Sequence, residues 1–302
     1  MAGTAVQRIV CTALACALAC TLGGCAASSS SESGESIEGL DELGEVTVVA
    51  REEGSGTRSV FSEQVGLIVT DDSGVETDVT TSDATVCNDA ESVIAAVAAD
   101  TSAIGYVSLG ALDEDSGVKV ITVDGVEPST DTVQDGSYAL SRSFYIAYVG
   151  QSSEVEADFL SYILTAGQDV VSAEGYVSVT ATQRFLSDGS EGFITVSGST
   201  SVAPLMEALA AAYEELNPNA SITVTATDST TGLTAAMTQE SDWGMSSRKL
   251  ESYESELLET SVIAEDAVAV IVNENSPVTS LTQEQLRQLF SGEASTWADL
   301  NS

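Results

Sequence analysis

The run Arg51-Glu52-Glu53-Gly54-Ser55-Gly56-Thr57-Arg58 places two cations around a donor-rich turn, in a chain with nine Lys and Arg against 47 Asp and Glu. Two more hydroxyl clusters occur downstream, Ser199-Thr200-Ser201 and Ser229-Thr230-Thr231. Glycine lets an anion approach the backbone, Ser and Thr add O–H donors, and a helix N-terminus adds unpaired N–H groups. An arginine contributes a planar fork that matches two oxygens of an oxyanion. Taken singly, each turn reads as plain capping, because Ser and Thr are preferred N-caps. Three such turns with an arginine at one of them point to capture of an oxyanion.

Other chemistries fit less well. The sequence has no histidine, which removes the usual general base and the commonest metal ligand. Ser55 between glycines suggests a nucleophile elbow, but no histidine exists to activate it. "GSGTRSVF" lacks the G-x-x-x-x-G-K-[ST] spacing of a phosphate-binding P-loop. No D-x-[DN]-x-[DN]-G calcium loop is present, and carboxylate pairs are too abundant for one to stand out. A binding protein is expected, with no enzyme activity, no cofactor and no metal. The formal net charge of −38 argues against nucleic acid, whose binding is driven by cationic neutralisation of phosphates. It argues equally against docking to anionic lipid through basic patches.

The elements that must position these residues alternate along the chain. "EVTVVA" is a β-branched, alternating strand running into the first turn, and Val60, Phe61 and Val65 fit one face of a helix after it. "ESVIAAVAAD" reads as a helix, "AIGYVSLGAL" as a buried strand leading into a loop, and "SFYIAYVG" as another strand. "ADFLSYILTAGQDVVSAEGY" reads as a helical pair. From residue 194 a second strand-turn-helix begins. Val202, Leu205, Met206, Leu209, Tyr213 and Leu216 keep helical spacing until Asn217-Pro218 stops them. "SITVTATDSTTGL" is a strand with a hydroxyl-rich turn, "SVIAEDAVAVIVN" a long buried strand, and "LTQEQLRQLFSG" a capped amphipathic helix. The fold class is α/β with open sheets, which bind ligands at the carboxyl ends of their strands.

The N-terminus reads as an export signal spanning 1–24. After Arg8 comes "IVCTALACALACTLGG", too short and wrongly flanked for a membrane span. It ends in "LGGC", which resembles a bacterial lipobox whose Cys25 is lipidated. An ordinary secretory signal with an incidental cysteine is the alternative. Residues 25–45, rich in Ser, Glu and Gly, read as a flexible tether. Cys11, Cys16 and Cys20 lie in the segment to be removed, so Cys87 is left without a partner for a disulfide.

"REEGSGTR", "VSGSTSVAPL", "WGMSSRKL", "AIGYVSLGAL" and "DGSYALSR" together resemble the extracytoplasmic phosphate-binding proteins of high-affinity phosphate ABC transporters, over nearly all of residues 46–302. The resemblance implies a type II periplasmic-binding-protein fold, two α/β lobes closing on inorganic phosphate. It implies ligands at Arg51, Ser55, Gly56 and Thr57, at Thr200 and Ser201, at Ser229 and at Ser247. It implies that Glu53 orients Arg51. It also implies a membrane permease as partner and a location on the outer face of the bacterial plasma membrane, anchored through Cys25. Sulfate or molybdate binding, or a surface sensing or adhesion role, are the alternatives.

Two features depart from the family pattern. Ser247 stands where well-known members have an aspartate that accepts the proton of hydrogen phosphate, so discrimination against sulfate is expected to be weaker. Arg248 beside it either contacts the anion or pairs with a carboxylate, and Arg58 is either a contact or a surface residue. The segment order is also inverted, since members normally begin with the segment like "ITVSGSTSVAPL". The expectation is a circular permutation, with a new link near "FLSDGSEGF"; two unrelated half-proteins, or halves swapped with a partner, are the alternatives. One lobe would then hold 46–137 with 277–302 and the other 138–276, with "SFYIAYV" and "AVAVIVN" as hinges. The far field of the acidic surface does not forbid the site, because screening limits it to roughly 8 Å while cleft dipoles act at contact.

Overall fold

The computed structural model describes residues 39–71, 73–113, 115–150 and 153–301. The expected signal segment, Cys25 and most of the expected tether lie outside these residues. The tether was expected to run to 45, yet Leu40–Leu43 forms a short helix, α1, with Leu40 buried.

Next come β1 (Thr47–Arg51), α2 (Gly56–Gln64), the hairpin β2 (Ile68–Thr70) and β3 (Glu76–Asp78), β4 (Thr85–Cys87), α3 (Ala90–Ala98) and β5 (Ala103–Ser108). Three short elements follow: β6 (Val118–Val120), β7 (Thr122–Val123) and α4 (Thr130–Gln134). β1 and β5 are central strands buried on both faces almost throughout, and Val60, Phe61 and Val65 of the α2 region pack against them.

The chain then continues through β8 (Ser141–Tyr148), α5 (Glu154–Ile163), α6 (Gln168–Ala173), β9 (Gly192–Ser199), α7 (Ala203–Leu216), β10 (Ala220–Thr227), α8 (Ser229–Met237), β11 (Trp243–Ser246) and α9 (Ser252–Ser255). In and before α7, Val202, Leu205, Met206, Leu209 and Tyr213 are buried at helical spacing. Leu216, in the last turn, is 55% exposed because the helix ends there at Asn217. The long strand β12 (Glu259–Asn273) closes this region, followed by β13 (Ser280–Leu281) and α10 (Gln283–Ser291).

One sheet runs in the order β10-β9-β11-β8-β12-β5-β1-β4, with β6 also paired to β12. The outer strands are parallel: β10 and β11 beside β9, β4 and β5 beside β1. The centre is antiparallel. Residues 259–267 of β12 pair with β8, and residues 268–273 pair with β5 and β6. A fifteen-residue strand therefore serves both halves of the sheet.

Two main cores result. The first gathers Leu40, Val48, Phe61, Tyr106, Leu140, Val270, Phe290 and Trp297. The second gathers Phe144, Phe159, Val196, Leu205, Tyr213, Trp243 and Ile263. Tyr138, Leu140, Val268, Val270 and Val272, placed by the sequence reading in the second lobe, pack in the first core. The packing boundary thus falls near residues 140 and 267. The C-terminal segment belongs to the first half: Val46 N–H donates to the Ser295 carbonyl at 3.0 Å, Glu45 bridges Thr296, and Trp297 Nε1 donates to the Ser102 carbonyl at 2.9 Å.

Candidate functional site

The parallel strands deliver their carboxyl ends to one place, where open α/β sheets present ligand sites. β1 ends at Arg51, β9 at Ser199, β10 at Thr227 and β11 at Ser246. At β1 the chain turns through Gly54, whose φ of +87° suits glycine and whose added Cβ would lie 2.7 Å from Asp228 Oδ1. Ser55 then caps α2, accepting from Arg58 N–H at 3.4 Å. Capping is therefore part of the first turn's work. In the third cluster the cap is Asp228, whose carboxylate accepts from Thr231 N–H at 2.9 Å, leaving Ser229 at the first helical position.

These ends meet directly. Arg51 Nη2 donates to Thr200 Oγ1 at 2.9 Å, and Thr57 Oγ1 lies 2.9 Å from Ser201 Oγ. Ser199 Oγ donates to Ser247 Oγ at 2.9 Å, and Ser247 N–H donates to Ser229 Oγ at 3.1 Å. Gly56 is the closest approach: a Cβ there would sit 2.5 Å from both Ser229 Oγ and Ser247 Oγ. Thr230 N–H adds a bond to the Gly54 carbonyl at 3.3 Å. Arg51, Gly56, Thr57, Thr200, Ser201, Ser229 and Ser247 are thus gathered at one junction between the halves, with Ser55 in the same buried turn. Beside it opens a cleft of about 1100 Å³ lined by Glu52, Asn88, Asp89, Thr200, Glu207 and Asp228.

Arg51 is 1% exposed. Its Nε and Nη2 donate to Glu52 at 2.7 and 2.8 Å, and Nη2 also reaches the Asn88 carbonyl at 3.2 Å. Its Nη1 is buried with no hydrogen-bond partner among the described residues. The residue that orients this guanidinium is Glu52 and not Glu53. Glu52 still pairs its N–H with the Cys87 carbonyl at the end of the sheet, whereas Glu53 lies in the turn and is exposed.

The other cations have separate partners. Arg58 Nε donates to Asp78 at 2.8 Å, and Arg58 Nη1 holds the Arg51 carbonyl at 3.0 Å. Arg248, of the two roles open to it, pairs with a carboxylate: both its Nη atoms donate to Glu254 at 2.8 Å. Burial works to raise the Glu254 pKa, but the Arg248 bonds and the Glu251 N–H outweigh it and hold the carboxyl below its usual range. Burial, reinforced by Asp89, pushes the free Cys87 thiol up.

Two residues at the junction were not among the ligands expected from sequence, although Ser199 belongs to the second hydroxyl cluster. Ser199 joins Ser201 to Ser247, accepting from Ser201 N–H at 3.3 Å. Arg142 donates through Nη1 to Thr57 Oγ1 at 2.7 Å and pairs with Asp266 in full burial. Burial pushes the Asp266 carboxyl up and the Arg142 guanidinium down, and the bonds between them oppose that push. The available signal was scarcity, one of nine cations at the start of a buried strand.

The model of the PBP superfamily domain matches residues 38–166 and 176–302. A phosphate-binding protein PstS 2 of Streptococcus agalactiae is 38% identical over 283 residues, 93% of both chains. The chain belongs to the PBP superfamily, in the PstS family. Another PstS family member, PstS 2 of Streptococcus pneumoniae, is 40% identical over 256 residues, 84% of this chain and 87% of its own. A crystal structure of a phosphate ABC transporter phosphate-binding protein from S. pneumoniae superposes with a TM-score of 0.70 at 39% identity, covering 85% of this chain and 99% of that one. The S. agalactiae alignment runs through 93% of each sequence, so no permutation separates this chain from that PstS relative.

Proposed function

We propose that this protein captures inorganic phosphate outside the cell and presents it to the membrane permease of an ABC uptake transporter. Its relatives are named phosphate-binding proteins, and one with a solved structure is described as a component of a phosphate ABC transporter. The two cores act as lobes, one built from residues up to about 140 with 268–301 and the other from 141–267. Arg51, Ser55, Gly56 and Thr57 serve from the first, and Thr200, Ser201, Ser229 and Ser247 from the second. The protein binds and releases its ligand without turnover, and it is exported and tethered through a lipid on Cys25.

The observation that carries this reading is Arg51 Nη1, a buried cationic donor with no partner among the described residues, at a junction lined by hydroxyls from both halves. Buried donors are rarely left unpaired, and a charge-assisted bond to an anionic oxygen satisfies this one. Ser247 supports a second reading, another tetrahedral oxyanion such as sulfate. A hydroxyl both donates and accepts, so it does not demand a proton on the ligand. Calorimetric titration of the purified chain with phosphate and with sulfate tests both. Tighter binding of phosphate supports the first reading; preference for sulfate favours the second; heat from neither overturns both.

A further inference from the structure

Arg142 and Asp266 are direct neighbours across the antiparallel pair of β8 and β12, where the chain passes between the two cores. Each side chain is 1% exposed. Arg142 Nε and Nη2 both donate to Asp266 Oδ2, at 3.0 and 2.9 Å, and Ser108 Oγ donates to the same oxygen at 2.8 Å. The Phe144 ring packs against the guanidinium, 5.2 Å from its centroid. The one nitrogen left over, Nη1, donates to Thr57 Oγ1 at 2.7 Å. A buried ion pair is weak evidence of stabilisation, because desolvation offsets the attraction. Stability alone does not account for one set against the binding junction.

A threonine hydroxyl has one proton and two lone pairs. Arg142 fills one lone pair with an N–H, so the Thr57 proton must point elsewhere. The neighbour on the junction side is Ser201 Oγ, at 2.9 Å. A guanidinium on the oxygen also polarises the O–H bond and makes it a stronger donor. We propose that Arg142, held by Asp266, is a positioning residue that fixes Thr57 Oγ1 as a hydrogen-bond donor to the captured oxyanion. Asp266 acts by holding the guanidinium fork, and Ser108 by holding Asp266, so three residues direct the one proton of Thr57. This role rests on the phosphate reading above.

A double-mutant cycle on phosphate affinity, measured by calorimetry on the full chain, tests it. Thr57→Val removes the hydroxyl, and Arg142→Lys keeps a charge but loses the fork. Each alone should weaken phosphate binding about fivefold. Because both act through one hydroxyl, the double variant should also be weakened about fivefold, with Arg142→Lys adding less than about twofold in the Thr57→Val background. Independent effects, multiplying to about 25-fold, would overturn the proposal, as would Arg142→Lys leaving affinity unchanged. If Arg142→Lys fails to fold, Arg142→Met with Asp266→Leu removes the pair together and leaves no buried charge unpaired, and the same cycle is read with it. Wild-type protein that binds phosphate while the cycle multiplies sinks only this inference. Wild-type protein that binds no phosphate sinks the phosphate reading and this inference with it.

Discussion

Arg51 Nη2 and Thr200 Oγ1 lie 2.9 Å apart although 149 residues separate them in the chain. One is the last residue of a buried strand in the first half, and the other stands just before the longest helix of the second. The bond can form only when the carboxyl ends of both parallel sets face each other, so it reports the arrangement on which the whole site depends.

Arg51→Ala should weaken phosphate binding more than Thr57→Ala. Both bonds end on the anion, but only Arg51 brings a charge of its own, so its loss should reach the charge-assisted range of about 1.5–3 kcal/mol, about 10- to 150-fold, against about fivefold for the uncharged Thr57 hydroxyl. Calorimetric titration of the two variants checks the order. Equal losses would mean that Arg51 does not touch the ligand.

Gly56→Ala should abolish tight binding while leaving each core folded. The new methyl would lie 2.5 Å from Ser229 Oγ and Ser247 Oγ and 3.0 Å from Arg248 N, so the halves could not approach as they do here. The φ of Gly56 is not in the left-handed region, so backbone strain plays no part. Titration combined with a thermal melt separates the effects. A large fall in melting temperature with binding intact would contradict this account.

Ser247→Asp should raise the preference for phosphate over sulfate about tenfold or more. Ser247 is fully buried among hydroxyls, and like charges placed together cost several kcal/mol. An aspartate would repel an oxyanion without a proton and accept from one that carries it. The ratio of the two affinities in competition dialysis is the measurement; an unchanged ratio would place Ser247 outside the site.

Acid should weaken the fold through Glu254. Its side chain is 0% exposed and accepts both Arg248 Nη atoms, and its pKa lies below the ordinary carboxylate value. A pKa lower in the folded than in the unfolded chain gives stability that is complete above the ordinary carboxylate range. That stability is lost as pH falls through the lowered value. Glu254→Gln should lose about 3–5 kcal/mol at neutral pH, because Arg248 is left buried without its counter-charge, and should show a shallower loss on acidification. Denaturant midpoints between roughly pH 7 and pH 3 would show it. An acid limb as steep as that of the wild type would mean the pair is not responsible.

Much of the fold could be read from the chain because period and composition decide it locally. The alternation in "EVTVVA", the helical spacing from Val202 to Tyr213 and the apolar stretch from Ala267 to Val272 in β12 each name their element without tertiary help. The short β4, β6 and β7 carry too few residues for a period to show. Of the site, the glycine and hydroxyl turns were visible because backbone geometry demands those residue types. Arg142 was not, since its meaning depends on Asp266, a strand neighbour 124 residues away. The family resemblance implies Glu53 as the partner of Arg51, and the sequence does not reveal that the side chain of Glu52 is the one that reaches the guanidinium.

The crystal structure of the phosphate complex tests the central claim most directly. The account predicts phosphate at the junction, its oxygens about 3 Å from Arg51 and the 55–57 turn on one side and from Thr200, Ser201 and Ser229 on the other. Phosphate bound to one half alone, or held away from Arg51, would contradict it.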